Sequence, residues 1–231
     1  MQKAKQEKLN EIVKRSYELM ANHFSATRSK MAAADFLWAA NKISSQDKVL
    51  DAGCGNGRLL DYVLLTSENY LGLDNSDSLL QIAKERYSQF RFLKKDLNNL
   101  EELIEKDFSV VFCSAVIIHI PGLDNRLKLL ENFYKLSIPG AKLIISAWKM
   151  KGGYYQSLKW KSFFKHLFSL RLDTWRDLVF PWLDQDGKAT GLRYYHYFSK
   201  RELRKELKKA GWQVTEELDD RYNFWLIAKK K

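Results

Sequence analysis

Five short apolar runs, at 48–51, 70–73, 91–93, 108–113 and 142–148, recur at regular intervals through the middle of the chain. Each is too short for a buried helix and suits a strand covered on both faces. Between them apolar residues return every three or four positions at about 57–66, 77–87 and 123–136, the period of a helix packed by one face. Strands that alternate with helices are joined by right-handed crossovers, so the pattern predicts an α/β fold with a doubly wound, mostly parallel sheet. In such a sheet ligands bind beyond the carboxyl ends of the strands.

The flanks extend this frame. Leu9, Ile12, Val13, Tyr17 and Met20 recur at helical spacing, which predicts two leading helices over about 5–22 and 28–42. The stretch 151–191 interrupts the rhythm with an aromatic, basic insertion that reads as helical and packed on the core. A helix over about 199–210 ends at Gly211, and 212–217 followed by 222–228 reads as a closing antiparallel hairpin. The expected architecture is therefore a seven-stranded sheet with N-terminal helices and a helical insertion before the last helix. At 231 residues and 45% hydrophobic, the chain supports one core. We expect one domain, divided into leading helices (1–45), a ligand-binding core (46–150), an insertion (151–198) and a closing helix and hairpin (199–231).

No run approaches the roughly 18 to 20 apolar residues of a membrane span, and the first fifteen residues lack the apolar stretch of a signal peptide, so a cytoplasmic protein is expected. The two cysteines, Cys54 and Cys113, form no metal or disulfide framework. The formal charge of +11 is unevenly spread: residues 1–30 carry 7 Lys/Arg against 3 Asp/Glu, 31–148 carry 13 against 15, and 149–231 carry 19 against 10. A near-neutral centre between basic flanks suits a catalytic core whose margins meet a polyanion; lysine-rich helices are also ordinary solvated faces.

The first strand runs into Asp51-Ala52-Gly53-Cys54-Gly55-Asn56-Gly57, a glycine-rich turn that lets backbone approach a ligand closely. Alone, such a turn also serves dinucleotides. The second strand ends at Asp74, followed by Asn75, and places a carboxylate beside the first turn where it can accept both hydroxyls of a ribose. A further acid, Asp96, follows the third strand, where an ordinary loop acid is the alternative reading. The D-x-G-x-G-x-G turn with two later acids resembles the class I S-adenosylmethionine-dependent methyltransferases over 48–148. That resemblance implies S-adenosylmethionine as cofactor. It also implies that Asp51, Gly53, Cys54, Gly55 and Gly57 border its methionine part, that Asp74 with Asn75 takes the ribose, and that Asp96 with Leu97 borders the adenine. Ser114, ending the fourth strand, is counted with them. His119, just beyond, can donate to substrate, act as a base, or cap the Pro121-Gly122 turn.

Three segments outside the core, YELMANHFSATR (17–28), DLVFPW (177–182) and RYYHYF (193–198), occur together with CGNGR (54–58) and AVIIHI (115–120). In order and spacing they resemble the tRNA methyltransferases that esterify 5-carboxymethyluridine at the wobble position. The chain departs from that family at Ser29-Lys30-Met31-Ala32, where the family has a proline-containing aromatic stretch, and at Ile118, where it has a second histidine. The resemblance implies tRNA as partner and, for eukaryotic members, a small zinc-binding activator subunit. Arginine grips carboxylates in a fork and tyrosine stacks on splayed bases. On that chemistry His119, Arg193, Tyr195 and His196 are candidate catalytic residues, and Arg28 and Tyr194 candidate substrate-binding residues. RYYHYF also reads as a strand whose aromatic face is core. Two other functions fit the sequence: methylation of a small molecule, and RNA binding without catalysis on the same fold.

Overall fold

The computed structural model describes residues 2–28, 34–149, 153–169, 174–183, 189–220 and 223–231. Two helices lead, α1 (Gln2–Arg28) and α2 (Ala34–Ala40). There follow β1 (Val49–Ala52), β2 (Tyr70–Asp74), α3 (Asp77–Arg86), β3 (Arg91–Lys94), β4 (Phe108–Ser114), α4 (Leu123–Leu136) and β5 (Ser137–Trp148). After them come α5 (Gly153–Ser169), β6 (Asp177–Leu183), β7 (Ala189–His196), α6 (Lys200–Lys209), β8 (Gln213–Asp219) and β9 (Asn223–Lys229).

The main sheet has seven strands in the order β3-β2-β1-β4-β5-β9-β8. Strands β1 to β5 run parallel, whereas β9 lies antiparallel between β5 and β8, as the closing hairpin requires. The connection reverses direction between β1 and β4, which opens a crevice at the carboxyl ends of those strands. The central strands are fully covered because each face meets its own cluster. On one side Leu50, Leu71, Val111, Leu143 and Phe133 pack together. On the other, Val49, Val110, Phe112, Ile144 and Trp225 pack against Phe36 and Ala39 of α2.

Two expectations are corrected. The stretch 57–66 is not a helix: only Arg58–Asp61 makes a short 3-10 turn, because the apolar residues beyond it, Tyr62, Val63 and Leu65, pack against the second cluster in irregular backbone. The insertion is helical only in α5. Its second half is an antiparallel pair, β6 with β7, in which Asp177 faces His196 and Phe180 faces Arg193. Pro181 sits in β6, consistent with a strand at the edge of a two-stranded sheet.

Helix α6 starts on a capping box, with the Ser199 hydroxyl and the Glu202 carboxylate each taking the other's backbone N–H. It is tied to α4 by a buried bidentate pair, Arg126 with Glu206, at 2.8 Å and 3.1 Å. Among the described residues no helix is long and apolar enough to cross a membrane.

Candidate active site

A crevice of about 690 Å³ lies over the carboxyl ends of β1, β2 and β4, within the range of small-molecule and cofactor sites. Its floor is the glycine turn. Gly53 has φ of 77° and packs so closely under Val116 that a Cβ there would overlap that side chain. The backbone N–H groups of Gly53 and Cys54 donate to the Leu73 carbonyl, locking the turn to β2. Asp51, Gly53, Cys54 and Gly55 line the crevice, and so do Asn56 and Arg58. Gly57 does not; it stands behind the turn against Tyr87 and Phe92.

Asp74 ends β2 with its carboxylate turned to the turn. One oxygen accepts the Gly55 N–H and the other the Ser76 N–H, each at 2.9 Å. Burial raises its pKa although these hydrogen bonds oppose the shift. Asp51 is pushed up to about 7 by burial, with the Asp74 charge adding to the shift and the Tyr70 hydroxyl opposing it. Asn75, Asp96 and Leu97 complete this end of the crevice, with Asp96 held by the backbone and side chain of Asn98.

At the other end Ser114 and Ala115 close β4. Ala115 has φ of 56°, rare for a residue with a Cβ, and its N–H donates to the Ser146 hydroxyl at 2.9 Å. His119 lies just beyond, buried, with both ring nitrogens engaged. Nδ1 is 3.2 Å from the Tyr194 carbonyl, which can only accept, so Nδ1 carries the proton. Nε2 then accepts the Tyr17 hydroxyl at 2.8 Å. Burial lowers the His119 pKa to about 4, reinforced by the charge of Arg193, so the ring is neutral at pH 7.

The remaining candidates are not all brought together. Arg193 is half-buried on β7, outside the lining of the crevice but near enough for its charge to reach His119. Tyr195 is core: its ring packs on His119, Trp148 and Phe180. Tyr194 is buried and donates to Asp177 at 2.7 Å. His196 is 0% exposed between Asp177 at 2.8 Å and Glu202 at 3.1 Å, which both hold their pKa low against burial. Tyr194 and His196 belong to a buried network around Asp177, outside the lining of the crevice, because the end of β7 from Tyr194 to His196 is buried. Arg28 closes α1, and its side chain lies outside the described residues.

Sequence reasoning missed the lining from the leading helices and from elements late in the chain: Asn10, Val13 and Lys14 of α1, Asp35 and Phe36 of α2, Trp148 of β5, Tyr155 of α5 and Trp225 of β9. Asp35 is 2% exposed, with one oxygen taking the Asn223 amide and the Trp225 indole N–H. No local motif marks these residues, which meet only in the folded chain. Ile118 is fully buried in the core, so the departure from the family's second histidine falls on a position away from the crevice.

Residues 50–145 match the family described as a methyltransferase domain. Residues 50–145 are thus a methyltransferase domain in a class I methyltransferase fold, with S-adenosylmethionine as cofactor. Gly53, which has no room for a Cβ beneath Val116, and the crevice-facing Asp74 fit that cofactor. Over 252 residues this methyltransferase is 25% identical to the tRNA (carboxymethyluridine(34)-5-O)-methyltransferase of Schizosaccharomyces pombe, covering 96% of this chain and 97% of that one. It is 34% identical over 143 residues to the protein of the same name from Arabidopsis thaliana, covering 59% of this chain and 32% of that one. In fold it resembles a SAM-dependent methyltransferase from Methanosarcina mazei, at a TM-score of 0.63 and 18% identity, covering 82% of this chain and 95% of the other.

Proposed function

We propose that this methyltransferase esterifies the carboxylate of 5-carboxymethyluridine, or a closely related modified uridine, at the wobble position of tRNA, with 1–231 acting as one catalytic unit. The observation that carries this reading is the end-to-end similarity to the Schizosaccharomyces pombe enzyme, which takes in the leading helices and the insertion as well as the cofactor core. The basic flanks support tRNA as partner, since they offer counter-charge to phosphates on either side of a near-neutral core.

In this reading Asp74 takes the ribose hydroxyls, Asp96 and Leu97 border the adenine, and the Asp51–Gly55 turn with Ser114 takes the methionine end. The cofactor supplies a methyl group made electrophilic by its sulfonium. The acceptor carboxylate is ionised at neutral pH and needs no base to attack; the protein aligns it and keeps water out. Tyr17, His119, Trp148 and Tyr155 line the crevice beyond Ala115 and offer flat surfaces to a base. His119, neutral and with both nitrogens engaged, positions Tyr17 rather than moving a proton.

Single-turnover transfer to tRNA bearing 5-carboxymethyluridine, followed across pH with the free nucleoside as a competing acceptor, tests this. Between about pH 6 and 8 the rate is expected to owe no pH dependence to the acceptor, which is ionised, or to His119, which is neutral; any fall below pH 7 follows protonation of Asp51 and is removed in Asp51→Asn. The tRNA is expected to outcompete the nucleoside. A rate that still falls tenfold per pH unit below 7 in Asp51→Asn contradicts the role given to His119, and preference for the free nucleoside contradicts tRNA as substrate.

A further inference from the structure

Three consecutive residues of α1 grip three different elements. Successive helical residues project about 100° apart, so Ser16, Tyr17 and Glu18 fan over more than half the helix circumference. The Ser16 hydroxyl bonds to the Leu192 carbonyl of β7. The Tyr17 hydroxyl donates to His119. The Glu18 carboxylate accepts the Asp77 N–H at 2.7 Å with one oxygen and the Ser78 hydroxyl at 2.7 Å with the other, which also takes the Ser78 N–H at 3.3 Å. Asp77 and Ser78 open α3, whose N-cap is Ser76. A carboxylate there meets unpaired N–H groups and the positive end of the helix dipole.

The Glu18 grip lies directly after the ribose loop. Ser76, the cap of α3, is also the residue whose N–H holds the Asp74 carboxylate. Helix α1 meanwhile lines the crevice opposite the strand ends through Asn10, Val13, Lys14 and Tyr17, so a ligand on the glycine turn lies beneath it. One helix thus touches the cofactor loop on one side and, one residue earlier in sequence, the histidine at the mouth on the other.

We propose that Glu18 is a positioning residue that latches α1 to the start of α3, closing the helix over bound cofactor and setting how long the cofactor stays. The proposal rests on the placement of the ribose at Asp74. Opening the latch frees α1 to swing away and takes Tyr17 from His119, so departure of the spent cofactor and loosening of the acceptor site occur together. Closing over the ribose loop brings Tyr17 back, which orders binding with cofactor first and acceptor second.

Stopped-flow dissociation of S-adenosylhomocysteine from the full chain tests the latch. Glu18→Ala is expected to raise the off-rate about tenfold, the lower range for loss of a charged hydrogen bond. Glu18→Gln, which still accepts N–H bonds, is expected to fall between wild type and alanine. Ser78→Ala removes the partner hydroxyl and is expected to speed release as well, with the Glu18→Gln/Ser78→Ala pair adding less than the sum of the two. A wild-type off-rate in Glu18→Ala overturns the proposal, as does full additivity of the pair. Asp74→Ala separates this from failure of the ribose placement, because unchanged affinity there removes the placement whatever the off-rates of the Glu18 variants.

Discussion

Glu206→Ala is expected to destabilise the fold by about 3–5 kcal/mol, the range for removing one partner of a buried ion pair. Arg126 is 2% exposed and its guanidinium meets Glu206 through two nitrogens, with the Phe198 ring 5.2 Å from its centre. Without Glu206 the buried guanidinium loses its bidentate partner and keeps only the more distant Asp177 charge, while Nη1 has no hydrogen-bond partner among the described residues even in the intact pair. The double change Arg126→Met with Glu206→Leu is expected to recover most of the loss, because two apolar side chains of similar volume avoid desolvating either charge. Urea denaturation of the three variants measures this; a single variant as stable as wild type would show that water reaches the pair. The consequence for function is indirect. Helix α4 begins just after the turn that carries His119, and α6 just after β7, so the pair fixes the two segments that frame the mouth of the crevice.

Asp74→Ala is expected to weaken cofactor binding ten- to a hundredfold, or about 1.5–3 kcal/mol, the range for a hydrogen bond to a charged group. The loss has two sources. The carboxylate oxygens that face the crevice disappear, and so does the bridge between the Gly55 and Ser76 N–H groups that shapes the cofactor loop. Asp74→Asn retains the bridge in part and is expected to bind between the two. Removing the Asp74 charge also takes away one influence that holds the Asp51 pKa near 7. Titration calorimetry with S-adenosylhomocysteine reads the affinity directly, and an unchanged value in the folded alanine variant would remove Asp74 from the site.

The parallel strands were open to reading because apolar runs buried on both faces stand out wherever they occur. The Asp51–Gly55 turn was legible for a related reason: consecutive residues that line a crevice write its chemistry into one stretch of sequence, although Gly57, read with them, stands behind the turn. The failures have physical causes. At 57–66 an apolar period suggested a helix, but the contacts with the second cluster hold irregular backbone instead. In RYYHYF the strand with a core-facing aromatic side, one of the two readings, holds for Tyr195 and Tyr197; what stayed hidden is that Tyr194 and His196 are buried too, in the Asp177 network. That burial also explains why these residues, chemically suited to substrate, stand away from the crevice. The contributions of α1 and α2 were illegible for the opposite reason: Glu18 meets Ser78 across 60 positions and Asp35 meets Trp225 across 190. No periodicity encodes such pairings.

Methyl transfer to a carboxylate on a wobble uridine is read out by mass spectrometry of nucleosides. tRNA carrying 5-carboxymethyluridine is incubated with the protein and cofactor labelled in the methyl group, then digested. The digest is expected to hold a labelled nucleoside one methyl heavier than 5-carboxymethyluridine, its label released by mild alkali as an ester must be, and its yield sharply reduced for Asp74→Ala. Label that resists alkali, or none in tRNA from a protein that binds the cofactor normally, would contradict it.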